Sequence, residues 1–448
     1  MKKRILSVIL AAMMALTAFT GCNSGGAQSS SAAGSSEPAS AGSSEASSGE
    51  DAGSAGEITI SMYHSWSTDT ERGKALNDLI AKFNEDNAGK IKIDVNINPD
   101  FPAYQEKVKA MISANETPDI FHYNFNPNDL SRQKSGKLLD FTPYMDDEWK
   151  ARFNESDLET LTVDGQLTSI PFEKGGALIY YNKELFDAAG VAEFPATWDD
   201  LFTAFDKLKA NGTTPISLYT ADDAWYTTNL LTYFAVSIGG SEMFNKGGDI
   251  NTPELVKAAE YLRKAFDYTT GDAIGANYSV SSNAFASGKT AMLIDGPWLI
   301  GSLPAEIVDK VAIAPAPTFG DGKVTPGFSV TDAQTPWAAA GQSDKAKEEA
   351  IVSFMKFITS EDSTKALTLN GSVFLSAKMT LTDDEMASAG ALMANYIEVN
   401  SAAQESVVNL QRNLTTAANS KLPSLLESLA LDQITAQQFV EQLAAENQ

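Results

Sequence analysis

An α/β protein of two lobes is what the sequence predicts, on three observations. The chain has 448 residues, more than one hydrophobic core usually supports. From Ile58 onward, stretches that alternate apolar and polar residues are interleaved with stretches whose apolar residues recur at helical spacing. The order strand, helix, strand, helix, strand describes a parallel sheet wrapped by helices. Ligands of such sheets sit beyond the carboxyl ends of the strands, so residues at that rim become the candidates.

The first 57 residues are of a different kind. Lys2, Lys3 and Arg4 precede an almost unbroken apolar run from Ile5 to Thr20, and Gly21 and Cys22 follow at once. A basic start, a short apolar run and small residues at its end describe an export signal, expected over residues 1–21. The run falls short of the roughly 20 residues that a membrane-spanning helix needs. Phe19-Thr20-Gly21-Cys22 resembles the lipobox of bacterial lipoproteins, with Phe19 where Leu is usual, and this predicts a lipid on Cys22. Cys22 is the only cysteine, so no disulfide within the chain is possible. Asn23 to Glu57 holds Ser, Gly, Ala and five acidic residues, with no basic ones. Such a stretch buries too little apolar surface to order, and reads as a tether with a reach of roughly 30 Å.

The folded body starts with Ile58, Ile60 and Met62 in alternation, a strand. Leu76, Leu79, Ile80 and Phe83 share one helical face. Ile91, Ile93, Val95 and Ile97 alternate again; Tyr104, Val108, Met111 and Ile112 predict a second helix, and Asp119 to Tyr123 a buried strand. Trp66, Tyr123, Asn124 and Asn126 then fall on one rim. Further strands are expected at Ala177–Asn182, Thr290–Asp295 and Val311–Ala316, and a helix at Leu201–Leu208 with Thr197 as its N-cap. From Asp344 the pattern is mostly helical, and Thr435 with Gln438 has the spacing of a capping box.

Four stretches carry a family resemblance. They are Tyr180-Tyr181-Asn182-Lys183-Glu184-Leu185-Phe186 followed by Ala189-Gly190; Pro195-Ala196-Thr197-Trp198-Asp199-Asp200; Phe285-Ala286-Ser287-Gly288-Lys289-Thr290-Ala291-Met292 running into Asp295-Gly296-Pro297-Trp298; and Thr117-Pro118-Asp119-Ile120-Phe121. Together the chain resembles the solute-binding proteins of carbohydrate ABC transporters, the maltodextrin-binding type. The resemblance implies a periplasmic-binding-protein-like fold of type II: two α/β lobes, a hinge, and a ligand cleft between them. It assigns residues 58–168 plus 299–341 to an N-terminal lobe and 169–298 plus 342–448 to a C-terminal lobe. It also implies a sugar ligand, ABC permease subunits as partners, and a monomer held at the extracellular face of the membrane.

A sugar offers hydroxyls at its edge and C–H patches on its faces, so its site needs polar groups for the first and flat rings for the second. Trp298 follows a strand through Asp295-Gly296-Pro297, and the family stacks such a Trp on sugar. Trp66 lies at the end of the first strand. Trp225 opens a helix after Asp222 and Asp223, where the family often places an aromatic. Glu173 at the presumed crossover, Asp295 before the Gly-Pro turn and Asn124 at a strand end are the polar candidates. Gly327 and Phe328 occupy a stretch where the family commonly has Gly-Gly. Trp198 is read as a packing residue, Trp149 and Trp337 carry no positional argument, and His64 and His122 read as hydrogen-bonded histidines without a metal.

The formal charge of −25, or −28 once Lys2, Lys3 and Arg4 are cut away, repels nucleic acid. Gly-x-Ser-x-Gly, His-Glu-x-x-His, Walker and dinucleotide glycine patterns are missing from the sequence, so neither a cofactor nor an enzyme is expected. Two readings remain beside the receptor: an exported carbohydrate-active hydrolase or lyase, which needs only two carboxylates, and a surface adhesin for polysaccharide.

Overall fold

The computed structural model describes residues 56–123, 138–244, 249–331 and 335–448. Cys22 and Asn124 lie outside these residues, and so do the expected signal and almost all of the expected tether. In chain order the strands are β1 (Ile58–His64), β2 (Ile91–Ile97), β3 (Ile120–His122), β4 (Thr162–Val163), β5 (Gln166–Leu167), β6 (Ser169–Ile170) and β7 (Gly176–Asn182). They continue as β8 (Thr214–Ile216), β9 (Thr290–Asp295), β10 (Val311–Ala314), β11 (Ser329–Thr331), β12 (Trp337–Ala339) and β13 (Ser406–Val407).

Two sheets organise the fold. The first runs β2-β1-β3-β12-β6, the second β13-β11-β7-β9-β8 with β10 added against β7. The opening strands pair in parallel as the pattern predicts, Ile58 beside Ile91 and Met62 beside Ile120. The intervening helix Glu71–Asp86 buries Leu76, Leu79, Ile80 and Phe83, the expected stripe. Neither sheet is purely parallel. β12 runs antiparallel to both β3 and β6, and β7 is antiparallel to β9, β10 and β11.

Each sheet has its own apolar core. Ile60, Leu76, Phe83 and Ile120 anchor the first, and Ile179, Trp198, Leu231 and Met292 the second. The expected lobe boundaries need correction. β10 and β11, expected in the N-terminal lobe, hydrogen-bond to β7, and Ile313 and Val330 join the cores around that strand. The helices Lys345–Ile358 and Glu361–Gly371, expected in the C-terminal lobe, pack on the first sheet. Phe354 meets Phe83 edge-on at 5.1 Å, and Leu367 lies in the same core. β6 also belongs to the first sheet, so the chain leaves it after Ile170 rather than before Ser169.

Local signals hold where they rest on hydrogen-bonding chemistry. Thr197 Oγ1 accepts from the Asp200 amide, capping the helix Trp198–Ala210. The capping box of Thr435 and Gln438 is present in both directions. Trp198 is fully buried and donates its indole N–H to Ser237 Oγ at 2.9 Å, the packing role expected of it.

Candidate ligand-binding cleft

The chain passes between the sheets three times: from β6 to β7, from β11 to β12, and from the helix Glu361–Gly371 to the helix Ala391–Ala402, which packs against Leu178, Tyr180 and Leu293 of the second sheet. The first and third crossovers run side by side. Lys174 donates its amide to Phe374 O at 2.8 Å, and Ser376 donates to Phe172 O at 2.7 Å. Glu173 gathers them. It bridges to Leu375 through the backbone, and its Oε2 accepts from Thr335 Oγ1 of the second crossover at 2.6 Å. Its other oxygen, Oε1, is buried with no hydrogen-bond partner and lies 3.9 Å from the Arg72 guanidinium. Burial raises the Glu173 pKa, against the pull of Arg72 and Thr335.

Arg72 reaches this point from the first turn of Glu71–Asp86. Thr70 caps that helix through the Gly73 amide, and Gly73 itself leaves room for the Trp66–Ser67 backbone, since a Cβ there would lie 1.9 Å from Ser67 O. The guanidinium sits 5.4 Å from the Trp66 ring centroid. Trp66, expected as an open plate, is 1% exposed and tilts against Phe172. His64 and His122 hold its loop, accepting from the Trp66 and Ser65 amides at 3.2 and 3.0 Å. Burial, then Arg72, lowers the His64 pKa to about 4, so both rings serve as neutral acceptors.

Across the crossovers lies the end of β9. Asp295 is fully buried and receives the Gly296 amide at 2.7 Å, the Tyr278 hydroxyl at 3.1 Å and the Tyr226 hydroxyl. Burial pushes its pKa up to about 7, opposed by those donors and by Trp298. Asp295 therefore shapes the turn Gly296-Pro297-Trp298 from beneath. The Trp298 ring lies over two glycines: a Cβ on Gly296 would come within 2.3 Å of it and one on Gly175 within 3.1 Å. Trp225 meets it at 5.3 Å, and both rings are partly exposed. The facing lobe is near, because Glu71 Oε2 lies 2.6 Å from where a Cβ on Gly301 would be.

The structure thus brings together Trp298, Trp225, Asp295 and Glu173, with Trp66 buried behind Arg72. It does not bring in Phe328, which is 1% exposed and packs on Tyr233 at 5.2 Å inside the second core. Gly327 serves its own turn: its φ of +78° suits glycine, and its amide bonds to Ala316 O. Arg72, Thr335, Tyr226 and Tyr278 went unread in the sequence. The rim rule that singled out Trp66 also reaches Arg72, which starts the next helix; nothing in the sequence marks Thr335 or the tyrosines.

The family model of the bacterial extracellular solute-binding proteins matches residues 66–365. The chain belongs to that family. A binding protein of Brucella abortus is 29% identical over 307 residues, covering 66% of this chain and 70% of that one. An sn-glycerol-3-phosphate-binding periplasmic protein of Rhizobium meliloti is 28% identical over 206 residues, 44% of this chain and 46% of its own length. Among solved structures, one from work on xylan utilization by Caldanaerobius polysaccharolyticus superposes with TM-score 0.76 at 23% identity, covering 87% of this chain and 100% of the other. A maltose-bound T. maritima protein gives 0.72 at 19% identity, over 87% and 98% of the two chains. These likenesses show the fold: two α/β lobes of the periplasmic-binding-protein type. The matched family is one of solute-binding proteins, and the Brucella and Rhizobium relatives carry binding-protein names.

Proposed function

We propose that this solute-binding protein captures a neutral sugar or oligosaccharide in the cleft between its lobes and hands it, unchanged, to an ABC permease. The observation that carries the reading is the pairing of Trp225 and Trp298 beside Glu173, whose buried Oε1 has no hydrogen-bond donor. Partly exposed rings suit the C–H faces of a sugar, and an unpaired buried carboxylate oxygen suits a hydroxyl. A buried acceptor left unpaired costs about 1–3 kcal/mol, so a ligand hydroxyl there is favoured. Arg72 is the cation that faces Trp66 and Glu173, and Glu173 balances it, which argues for a neutral ligand over a phosphate. Names of the structural neighbours, among them a chitin oligosaccharide binding protein and a raffinose complex, support the same ligand class.

The ligand bridges both lobes and favours the closed arrangement, because it contacts more of the protein there. A lipid on Cys22 and the tether hold the body at the extracellular face of the membrane. A thermal-shift screen over xylo-, chito- and malto-oligosaccharides, with sn-glycerol 3-phosphate as the charged competitor, tests the assignment. A rise in melting temperature with a neutral sugar that NMR recovers intact is the expected result. A response to the phosphate alone, or cleavage of the sugar, rejects it.

A further inference from the structure

The geometry points to a second ligand site, on the side of the crossovers away from Trp298, that takes a small neutral polyol or monosaccharide. Successive residues of an extended chain face opposite sides. Glu173 and Gly175 face Arg72 and Trp298. Lys174 and Gly176 face the other way: Lys174 pairs with Asp157 at 3.0 Å, and a Cβ on Gly176 would lie 2.7 Å from Asn400 Oδ1. A cavity of about 410 Å³ opens on that side, walled by Lys174 and Phe374 of the first and third crossovers, by Thr331 at the end of β11 and by Asn400. None of Trp66, Arg72, Trp225 or Trp298 lines it. Its volume sits at the small end of ligand pockets, roughly 300–1,000 Å³.

Two polar groups on its wall have no partner. Ser376 is 4% exposed and its Oγ makes no hydrogen bond, and Asn400 Oδ1 is buried in the same condition. Asn400 stands one helical turn beyond Tyr396, whose hydroxyl accepts from the Gly176 amide at 2.8 Å and donates to Gly176 O at 3.0 Å. The helix is therefore fixed on the crossover, and the unpaired Asn400 Oδ1 is held beside Gly176 at the cavity wall. Asn400 Oδ1 asks for a donor, which a hydroxyl supplies. An ammonium would face Lys174 and Lys378, with no carboxylate among the lining residues. Phe374, Ile397 and Met386 offer an apolar face for C–H groups.

The experiment is methionine-methyl NMR on the full chain, because Met379 and Met386 both line the cavity. Glycerol, D-xylose and D-glucose are titrated in turn into the native protein, Trp298→Ala, Asn400→Leu and Ser376→Ala. Expected is a saturable shift of the Met379 and Met386 methyls with at least one compound, retained in Trp298→Ala and weakened about tenfold or more in both cavity variants. Ser376→Ala removes only an unpaired hydroxyl and keeps the fold testable should Asn400→Leu fail to fold. Silence with all three compounds, loss of the shift in Trp298→Ala, or its survival in Ser376→Ala overturns the site. Oligosaccharide affinity in the cleft is read separately, so either reading can fail alone.

Discussion

Trp298 owes its place to two absent side chains. Gly296 has φ −86°, a backbone that any residue adopts, so the closeness of the ring is what requires glycine there. Gly296→Ala is therefore expected to displace the ring and weaken sugar binding while the melting temperature changes little, as calorimetry and thermal unfolding would show. Asp295 beneath it gives a pH signature. Its carboxyl titrates near 3.8 when unfolded and near 7 when folded, so the folded state holds the extra proton between those values. The stability this contributes is complete at low pH and is lost as pH rises from about 4 to 7. Denaturant unfolding across that window should fall more steeply for the native protein than for Asp295→Asn. Asp295 and Trp298 could be placed together from the sequence because a strand end followed by a Gly-Pro turn is a local signal. Phe328 misled because the same kind of turn can aim a side chain into a core, and only the packing against Tyr233 decides.

At the scale of elements, the helix Glu71–Asp86 and the crossovers set the cleft. Gly73 lets the helix begin directly under the Trp66 loop, and so delivers Arg72 to Glu173. Gly73→Ala would drive a methyl against the Ser67 carbonyl, and should destabilise the fold by about 1–3 kcal/mol or more in chemical denaturation. Thr335→Val, which leaves Glu173 Oε2 without its donor, should cost about 1–3 kcal/mol in the same measurement. Strands and helices were readable because burial on one face writes a period into the sequence: Ile91, Ile93 and Val95 for a strand, Leu76, Leu79 and Phe83 for a helix. The caps at Thr197 and Thr435 were readable because they are satisfied within four residues.

Periodicity says that a face is buried, not against what, so it does not assign an element to one lobe or the other. The stripe of Ile351, Phe354 and Met355 fits either sheet; contact with Phe83 assigns it to the first. Val311–Ala314 reads as a strand in any lobe, and its partner Tyr180 is some 130 positions earlier. Three crossovers bonded to one another through Glu173 are a connection about which two cores can turn as units. Small-angle scattering should accordingly report a smaller radius of gyration at saturating ligand. The most direct measurement is calorimetric titration of the native protein and Trp298→Ala with xylo-, chito- and malto-oligosaccharides. At least one should bind the native protein saturably and bind Trp298→Ala at least tenfold more weakly, a loss of about 1.4 kcal/mol. Equal affinity in the two proteins, or no heat with any of these sugars, would contradict a sugar held against Trp298 between the lobes.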